Sequence, residues 1–145
     1  MSSKQETVVR RMIDEVWNAG KYDVLDQLVT PDVAHHDPMN PTKGPEALKN
    51  VVKKYRTAFP DLRQEVQDLF SAGDKVVARL RATGTQRGPL ESIPASGRSA
   101  TVSAIIIARF QGERIAEAFV NWDALGLMQQ IGAVTLPGRT AHAGA

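Results

Sequence analysis

The chain has 145 residues, the size of one ordinary domain with room for a hydrophobic core. Its 18 lysine and arginine residues nearly balance its 16 acidic residues and are scattered along the sequence, so we do not expect nucleic acid as a partner. The absence of cysteine excludes disulfides, thiolate metal sites and cysteine nucleophiles, and it fits a reducing cytoplasm.

The first half of the chain predicts helices. In QETVVRRMIDEVWNAG the apolar residues recur at helical spacing and Gly20 ends the helix, while KYDVLDQLV predicts a shorter helix before Pro31. The segment VAHHDP, closed by Pro38, predicts a short strand. In KGPEALKNVVKKYRTAFP one apolar stripe predicts a helix that Pro60 ends.

The second half changes to the period of two that is typical of strands. LRQEVQDLFSAGDKVVARLRATGTQ predicts a hairpin turned at AGD, and ATVSAIIIARF with RIAEAFVNWD predicts a second hairpin around QGE. A short helix, ALGLMQQIG, follows. We expect one domain over residues 1–132 and a flexible tail over 133–145. Helices followed by strands indicate an α+β fold.

Two features of the chain bear on its surroundings. The N-terminal MSSKQETVVRR lacks the apolar segment of a secretory signal, and the longest apolar run, SAIIIARF, is too short to span a bilayer, so we expect a soluble, cytoplasmic protein with no membrane partner. Residues 105–107 are all isoleucine and therefore apolar on both faces of their strand. Because the helices can cover only one face of the sheet, we expect a homodimer formed through its outer face.

Asp123 is the first candidate for chemistry, because it lies between the last strand and the last helix. Strict alternation would place Ile115, Glu117, Phe119, Asn121 and Asp123 on one face, and polar groups on a covered face suggest a cavity wall. Burial in such a wall raises the pKa of a carboxyl group, which suits a general base. Aspartate is equally a favoured helix N-cap, and the sequence leaves both interpretations open.

The segment HHDP is the second candidate. His35 and Asp37 fall on one side of the predicted strand and His36 on the other, and a histidine beside a carboxylate can serve as a general acid or base. An Asp-Pro turn with a surface histidine is the alternative. We predict no metal site, because the remaining histidine, His142, lies in the tail.

The aromatic side chains Trp17, Tyr55 and Phe59 are the expected walls of any pocket, although core packing is the more frequent role of such residues. The glycine-containing segments TGTQRG and ASGRS lack phosphate-loop spacing, and no dinucleotide fingerprint occurs. We therefore predict no cofactor.

With these residues in view, the chain resembles the SnoaL-like polyketide cyclase (ester cyclase) family of the NTF2-like superfamily, over about Val8 to Gly132. The family pattern is a G-T-H-x-G…I-P-x-T-G-[KR] loop, then G-x-I-x-E-x-W-x-x-x-D and a closing Q-L-G. The matching positions are Gly84, Thr85, Gly88, Ile93, Pro94, Gly97, Arg98, Ile115, Glu117, Asp123, Gln130 and Gly132, with an upstream H-D-P at His36, Asp37 and Pro38.

The resemblance implies a cone-shaped α+β barrel, in which a curved, mostly antiparallel sheet wraps around the N-terminal helices and encloses a deep apolar pocket. It also implies a cofactor-free intramolecular aldol closure of a small apolar carbonyl compound, with Asp123 as the general acid and base. His36, Asn121 and Gln86 are the candidate donors to developing oxyanions, and Glu117 and Phe119 are further candidates for substrate binding. The chain departs from the family at Gln86, where the G-T-H histidine is usual.

Two further departures are Ala118, where a histidine often follows the glutamate, and Phe119, where tryptophan is usual. Glutamine can donate a hydrogen bond but cannot transfer a proton near neutral pH. The alternatives to a cyclase, lyase or isomerase are a hydrolase or hydroxylating member of the superfamily, and a protein that only binds a small hydrophobic molecule.

Overall fold

The computed structural model describes the backbone of residues 2–137 and the side chains of residues 4–137. Within these residues the α-helices are α1 (Ser2–Arg11), α2 (Leu25–Leu28), α3 (Pro45–Ala58) and α4 (Ala124–Gln130). A π-helical segment, Met12–Asn18, continues α1, and a 3₁₀ turn, Tyr22–Val24, leads into α2. No helix in this part of the chain is long and apolar enough to cross a membrane.

The strands form one mixed sheet of six within the described residues. They are β1 (Val29–His36), β2 (Thr42–Lys43), β3 (Arg63–Ala72), β4 (Lys75–Thr85), β5 (Ser99–Gln111) and β6 (Arg114–Trp122), in the order β2-β1-β6-β5-β4-β3. Strands β1 and β6 run parallel, and the other neighbours are antiparallel. The predicted α+β class, with a mostly antiparallel curved sheet around the N-terminal helices, is confirmed.

Both predicted hairpins are present, because each turn contains a glycine that tolerates a positive φ. Gly73 has φ 61° between β3 and β4, and Gly112 has φ 64° between β5 and β6. The alternation predicted for β4 also holds, since Val76, Ala78 and Leu80 are buried while the residues between them are more exposed. This alternation therefore determines which side chains of β4 face the core.

The first strand begins earlier than the sequence predicts. It starts at Val29 and includes Pro31, whereas the pattern predicts a helix up to this proline. Proline is tolerated because the pairing of β1 with β6 is irregular between Val29 and Ala34, so its missing N–H leaves no gap in a regular ladder.

The principal core lies between the inner face of the sheet and helices α1 to α3, and it includes Val9, Ile13, Val16, Leu25, Leu28, Val52, Val76 and Ala108. A second, smaller cluster joins the end of α3 to α4 through Phe59, Leu90, Leu127 and Ile131.

The predicted tail, 133–145, lies only partly within the described residues, and positions 138–145, including His142, lie outside them.

Candidate active site

A cavity of about 140 Å³, open on one side, separates the inner face of the sheet from the helices. Most of its wall is apolar, supplied by residues such as Ile13, Val33, Leu48, Leu80, Ile106 and Ile115. The aromatic residues Trp17, Tyr55 and Phe59 line it, as the sequence predicts, and Trp122 from β6 joins them. An apolar cavity with few polar groups is the usual form of a small-molecule site.

Asp37, directly after β1, supplies a buried carboxylate to this cavity and is 7% exposed. Its Oδ1 accepts hydrogen bonds from the backbone N–H of Met39 at 2.9 Å and from the indole Nε1 of Trp122 at 3.1 Å. Its Oδ2 accepts from Nδ2 of Asn40 at 3.4 Å. These three donors fix the carboxylate and offset the cost of burying its negative charge.

His35, the last inward residue of β1 before Asp37, also lines the cavity and is 9% exposed. Burial lowers the pKa of its imidazole; the negative charge of Asp37 opposes this shift and His36 adds to it. The imidazole is therefore neutral near pH 7 and can accept a proton. Among the residues with described side chains, none forms a hydrogen bond with it, so its nitrogens are available to a ligand.

A third polar group reaches the cavity from helix α3. The hydroxyl oxygen of Tyr55 accepts a hydrogen bond from Nδ2 of Asn40 at 3.0 Å, and its ring meets the edge of Trp122 with the centroids 5.8 Å apart. Lys54 donates to Oδ1 of Asn40 at 2.7 Å and to Glu91 at 2.8 Å. The buried Asn40 thus joins Asp37 and Tyr55 behind the cavity wall.

The predicted site residues of β6 face away from the cavity. Strict alternation is wrong here because Ala116 is an extra residue: Arg109 pairs with Glu117, but the next residue, Phe110, pairs with Ile115. Ile115 faces the cavity, and beyond this bulge so do Ala118, Val120 and Trp122. The outward residues beyond it are therefore Glu117, Phe119 and Asn121.

His36 lies on the same outer face. Its ring stacks on Phe119 with centroids 4.5 Å apart, and its Nε2 lies 2.8 Å from Oε2 of Glu117. Glu117 also accepts a hydrogen bond from Arg109 at 3.1 Å. The bonds with His36 first, and then with Arg109, lower the pKa of this carboxyl group. The expectation that His36 and Asn121 reach the cavity is therefore corrected.

Asp123 serves as the N-cap of α4. Its side chain is exposed, does not line the cavity, and accepts a hydrogen bond from the backbone N–H of Gly126 at 2.9 Å. Of the two interpretations left open by the sequence, the structure supports the cap.

Gln86 is also outside the cavity. It is 0% exposed, and its Oε1 accepts from the backbone N–H of Ser96 at 3.1 Å while its Nε2 donates to the carbonyl of Ile93 at 3.4 Å. These bonds hold the loop between β4 and β5. The predicted role as an oxyanion donor is corrected, because the amide is already occupied by backbone groups.

Two polar residues of the site, Asn40 and Gln64, were not among the residues selected from the sequence. The alternation within HHDP does place His35 and Asp37 together, and that signal pointed to the inward pair. Nothing comparable marks Gln64, a cavity residue whose Oε1 has no hydrogen-bond partner in the described part of the chain.

The fold is that of the NTF2-like proteins, with a mostly apolar cavity between the sheet and the helices. The family model for SnoaL-like polyketide cyclases matches residues 7–131. The chain therefore belongs to the SnoaL-like polyketide cyclase family, and the resemblance noted in its sequence is confirmed. Membership places the chain among cyclase-type enzymes.

Two relatives and two solved structures illustrate the similarity. Aklanonic acid methyl ester cyclase DauD of Streptomyces sp. (strain C5) is 31% identical over 137 residues, covering 90% of this chain and 83% of the relative. The cyclase of the same description from Streptomyces peucetius, DnrD, is also 31% identical and covers 90% of this chain and 92% of its own. TsrD of Streptomyces laurentii superimposes with a TM-score of 0.83 at 30% identity, covering 91% and 97% of the two chains. A protein of Jannaschia sp. CCS1, described as a SnoaL-like polyketide cyclase, gives 0.84 at 28% identity, covering 92% and 95%.

Proposed function

We propose that the protein is a cofactor-independent cyclase that closes a ring by an intramolecular aldol reaction, with His35 as the general acid and base. One observation carries the proposal: a neutral imidazole, free of hydrogen bonds to the described side chains, lines an apolar cavity two residues from the fixed carboxylate of Asp37. An unprotonated base that lines the cavity is what proton removal from a substrate carbon requires.

In the proposed reaction His35 removes a proton from a methylene group between two carbonyl groups. The enolate carbon then attacks a carbonyl carbon of the same molecule, and a carbon–carbon bond forms while the carbonyl π bond breaks to give an alkoxide. The imidazolium of His35 returns its proton to this alkoxide. The reaction involves no net oxidation or reduction and the proton is returned, so no further reactant is needed.

Asp37 supports the first proton transfer, from substrate to His35, through its charge. When His35 holds the proton, the cavity contains an imidazolium, and the fixed carboxylate two residues away stabilises it. The apolar wall holds the substrate in a folded conformation, which raises the effective concentration of the reacting carbon atoms. The same wall excludes water from the enolate.

The cavity favours a small, mostly apolar carbonyl compound. Its volume of about 140 Å³ is close to the roughly 150 Å³ of an engineered cavity that encloses benzene. One ring or a short acyl segment would therefore be enclosed, and the remainder of a larger substrate would lie at the open side. Aklanonic acid methyl ester, the compound in the names of both relatives, is our first test substrate.

The test compares His35→Gln with Asp123→Asn in steady-state turnover of this compound. Glutamine keeps the polar shape of the side chain but cannot accept a proton, so we expect kcat to fall about 100-fold or more. Asparagine caps a helix as well as aspartate does, so Asp123→Asn should retain near-normal turnover and stability. Full activity of His35→Gln together with loss in Asp123→Asn would reverse the assignment.

We also propose that the protein forms a homodimer through the outer face of the sheet. A row of paired residues crosses five strands there, with the apolar Phe70, Val77, Ile107 and Phe119 followed by His36 at its end. Phe119 is 46% exposed and Ile105, beside this row, is 49% exposed. Ion pairs flank the row on both sides, Arg79 with Asp68 and Arg109 with Glu117. An apolar centre with a charged rim is the composition of a protein interface.

Light scattering tests this second proposal. We expect a mass of twice 15.8 kDa for the wild-type chain and a monomer for Ile105→Glu, which puts a charge directly beside the row. Leu125→Glu is the matched control, because Leu125 is similarly exposed but lies on α4. A monomeric wild-type protein would remove the proposal.

A further inference from the structure

The orientation of the Asn40 side-chain amide is fixed by two neighbours of opposite character. Its Oδ1 lies 2.7 Å from the ammonium of Lys54, a group that can only donate. Its Nδ2 lies 3.4 Å from a carboxylate oxygen of Asp37, which accepts. If the amide were reversed, Nδ2 would face the ammonium of Lys54, donor against donor, and Oδ1 would face the carboxylate of Asp37, acceptor against acceptor. Nδ2 is therefore the atom that faces Tyr55.

This orientation determines the polarity of the bond to Tyr55. Because Nδ2 can only donate, the hydroxyl oxygen of Tyr55 is the acceptor in the 3.0 Å bond. The hydroxyl proton must therefore point elsewhere. Within the described part of the chain no residue accepts a hydrogen bond from it, and the Tyr55 side chain lines the cavity.

We propose that Tyr55 is an oxyanion-binding residue that donates its hydroxyl proton to a negatively charged ligand oxygen in the cavity, and that Asn40 and Lys54 are positioning residues that direct this proton. The inference deepens the proposed function, on which it rests for the identity of the ligand: the enolate or alkoxide formed during ring closure. The binding site itself can be tested without turnover.

Three further features suit Tyr55 to this role. Burial raises the pKa of its phenol, against the opposing effects of the Asn40 bond and the Lys54 charge, so the hydroxyl keeps its proton near neutral pH. The ammonium of Lys54 lies 5.4 Å from the ring centroid and adds a positive charge behind the donor. Packing against Trp122 fixes the ring, so the donor is oriented before the ligand binds.

The first experiment measures binding of 4-nitrophenolate by absorbance, at a pH where the free compound is ionised. Its single ring matches the cavity volume, and its neutral methyl ether, 4-nitroanisole, has the same ring without the anionic oxygen. We expect Tyr55→Phe to weaken phenolate binding about 10- to 100-fold, as the loss of one charge-assisted hydrogen bond requires, and to leave 4-nitroanisole binding nearly unchanged. Tyr22→Phe, at the only other tyrosine, is the matched control and should change neither.

The second experiment tests the polarity through the pKa of Tyr55, followed by NMR of ¹³Cζ-labelled tyrosine. Asn40→Leu removes the amide without adding charge. If Asn40 donates to Tyr55, it stabilises the phenolate, and its removal must raise the pKa of Tyr55. If Asn40 instead accepted the hydroxyl proton, its removal would lower that pKa. A purely structural role for Asn40 predicts neither direction.

Each outcome decides the inference. Equal loss of 4-nitrophenolate and 4-nitroanisole in Tyr55→Phe would mean that the ring only packs, and unchanged phenolate binding, or none by the wild-type protein, would also overturn the donor role. A lowered or unchanged Tyr55 pKa in Asn40→Leu would overturn the positioning role. If Tyr55→Phe selectively loses phenolate binding while His35→Gln keeps normal turnover, the acid/base role of His35 is wrong and the oxyanion-binding role of Tyr55 still stands.

Discussion

Replacement of Asp37 by asparagine is the most direct perturbation of the candidate site, because it removes a charge while nearly conserving shape. The side-chain oxygen of the substituted residue can keep the bonds from Met39 N–H and Trp122 Nε1. Its new amide nitrogen then faces Nδ2 of Asn40, where the wild-type carboxylate accepts a hydrogen bond. The substitution therefore loses one bond, weakens two and removes the negative charge near His35.

The kinetic magnitude follows from the charge. The Cα atoms of His35 and Asp37, two residues apart along an extended chain, are separated by about 7 Å, and we use this spacing for the two charges. At an effective dielectric constant of about 20, two unit charges at this separation attract by about 2 kcal/mol. If the imidazolium forms in the rate-limiting step, Asp37→Asn should slow kcat about 30-fold. We also expect a loss of about 1–3 kcal/mol in the free energy of unfolding, from the mismatched amides.

The assay is turnover of aklanonic acid methyl ester by Asp37→Asn, His35→Gln and the double variant, at a temperature well below unfolding of each. If the charge acts through His35, Asp37→Asn should slow the wild-type enzyme but add little in the His35→Gln background. Trp122→Phe is the control for geometry, since it removes one donor to Asp37 and keeps the charge. A rate for Asp37→Asn within about threefold of wild type, or the same additional loss in both backgrounds, would refute the electrostatic role.

Three other predictions concern stability. Asp123→Ala should lower the free energy of unfolding by about 1 kcal/mol, whereas Asp123→Asn should leave it nearly unchanged, as measured by urea denaturation. Because burial lowers the pKa of His35 below its unfolded value of 6.5, the unfolded chain binds the additional proton between these two values; stability should therefore fall as the pH drops from about 6.5 to the folded pKa, and His35→Gln should remove this part of the slope. Gly88→Ala would put a methyl group 2.6 Å from the backbone carbonyl of Thr57, so we expect a loss of about 1–3 kcal/mol, and an unchanged melting temperature would contradict this contact.

The fold could be predicted because its signals are local. Turn glycines at 73 and 112 mark both hairpins, and the alternation in β4 identifies its buried face without knowledge of any partner strand. The start of β1 could not be predicted, since its inclusion of Pro31 depends on an irregular pairing with β6, a strand more than eighty residues away in sequence. A local pattern carries no information about such a partner.

The candidate site was predicted only in part for a related reason. The grouping of Glu117, Phe119 and Asn121 on one face is right, but a single extra residue, Ala116, turns that face outward. A bulge leaves no mark in the hydrophobic pattern of so short a strand, and each residue after it moves to the opposite face. The same inserted residue therefore brings Ala118 and Trp122 to the cavity and leaves Phe119 on the surface that we propose for dimerisation.

The pairing of β1 with β6 explains how an imidazole can serve this cavity although position 118 carries alanine. His35 is the direct partner of Ala118 on the neighbouring strand, and both line the cavity. Paired strands lie about 4.8 Å apart, so a histidine at either position would reach nearly the same space, and two would crowd each other. Alanine at 118 leaves that space open to His35. The alanine at position 118 is thus consistent with an imidazole that comes from His35 on the adjacent strand. Asp37 follows His35 by two residues, and its carboxylate favours the protonated imidazole.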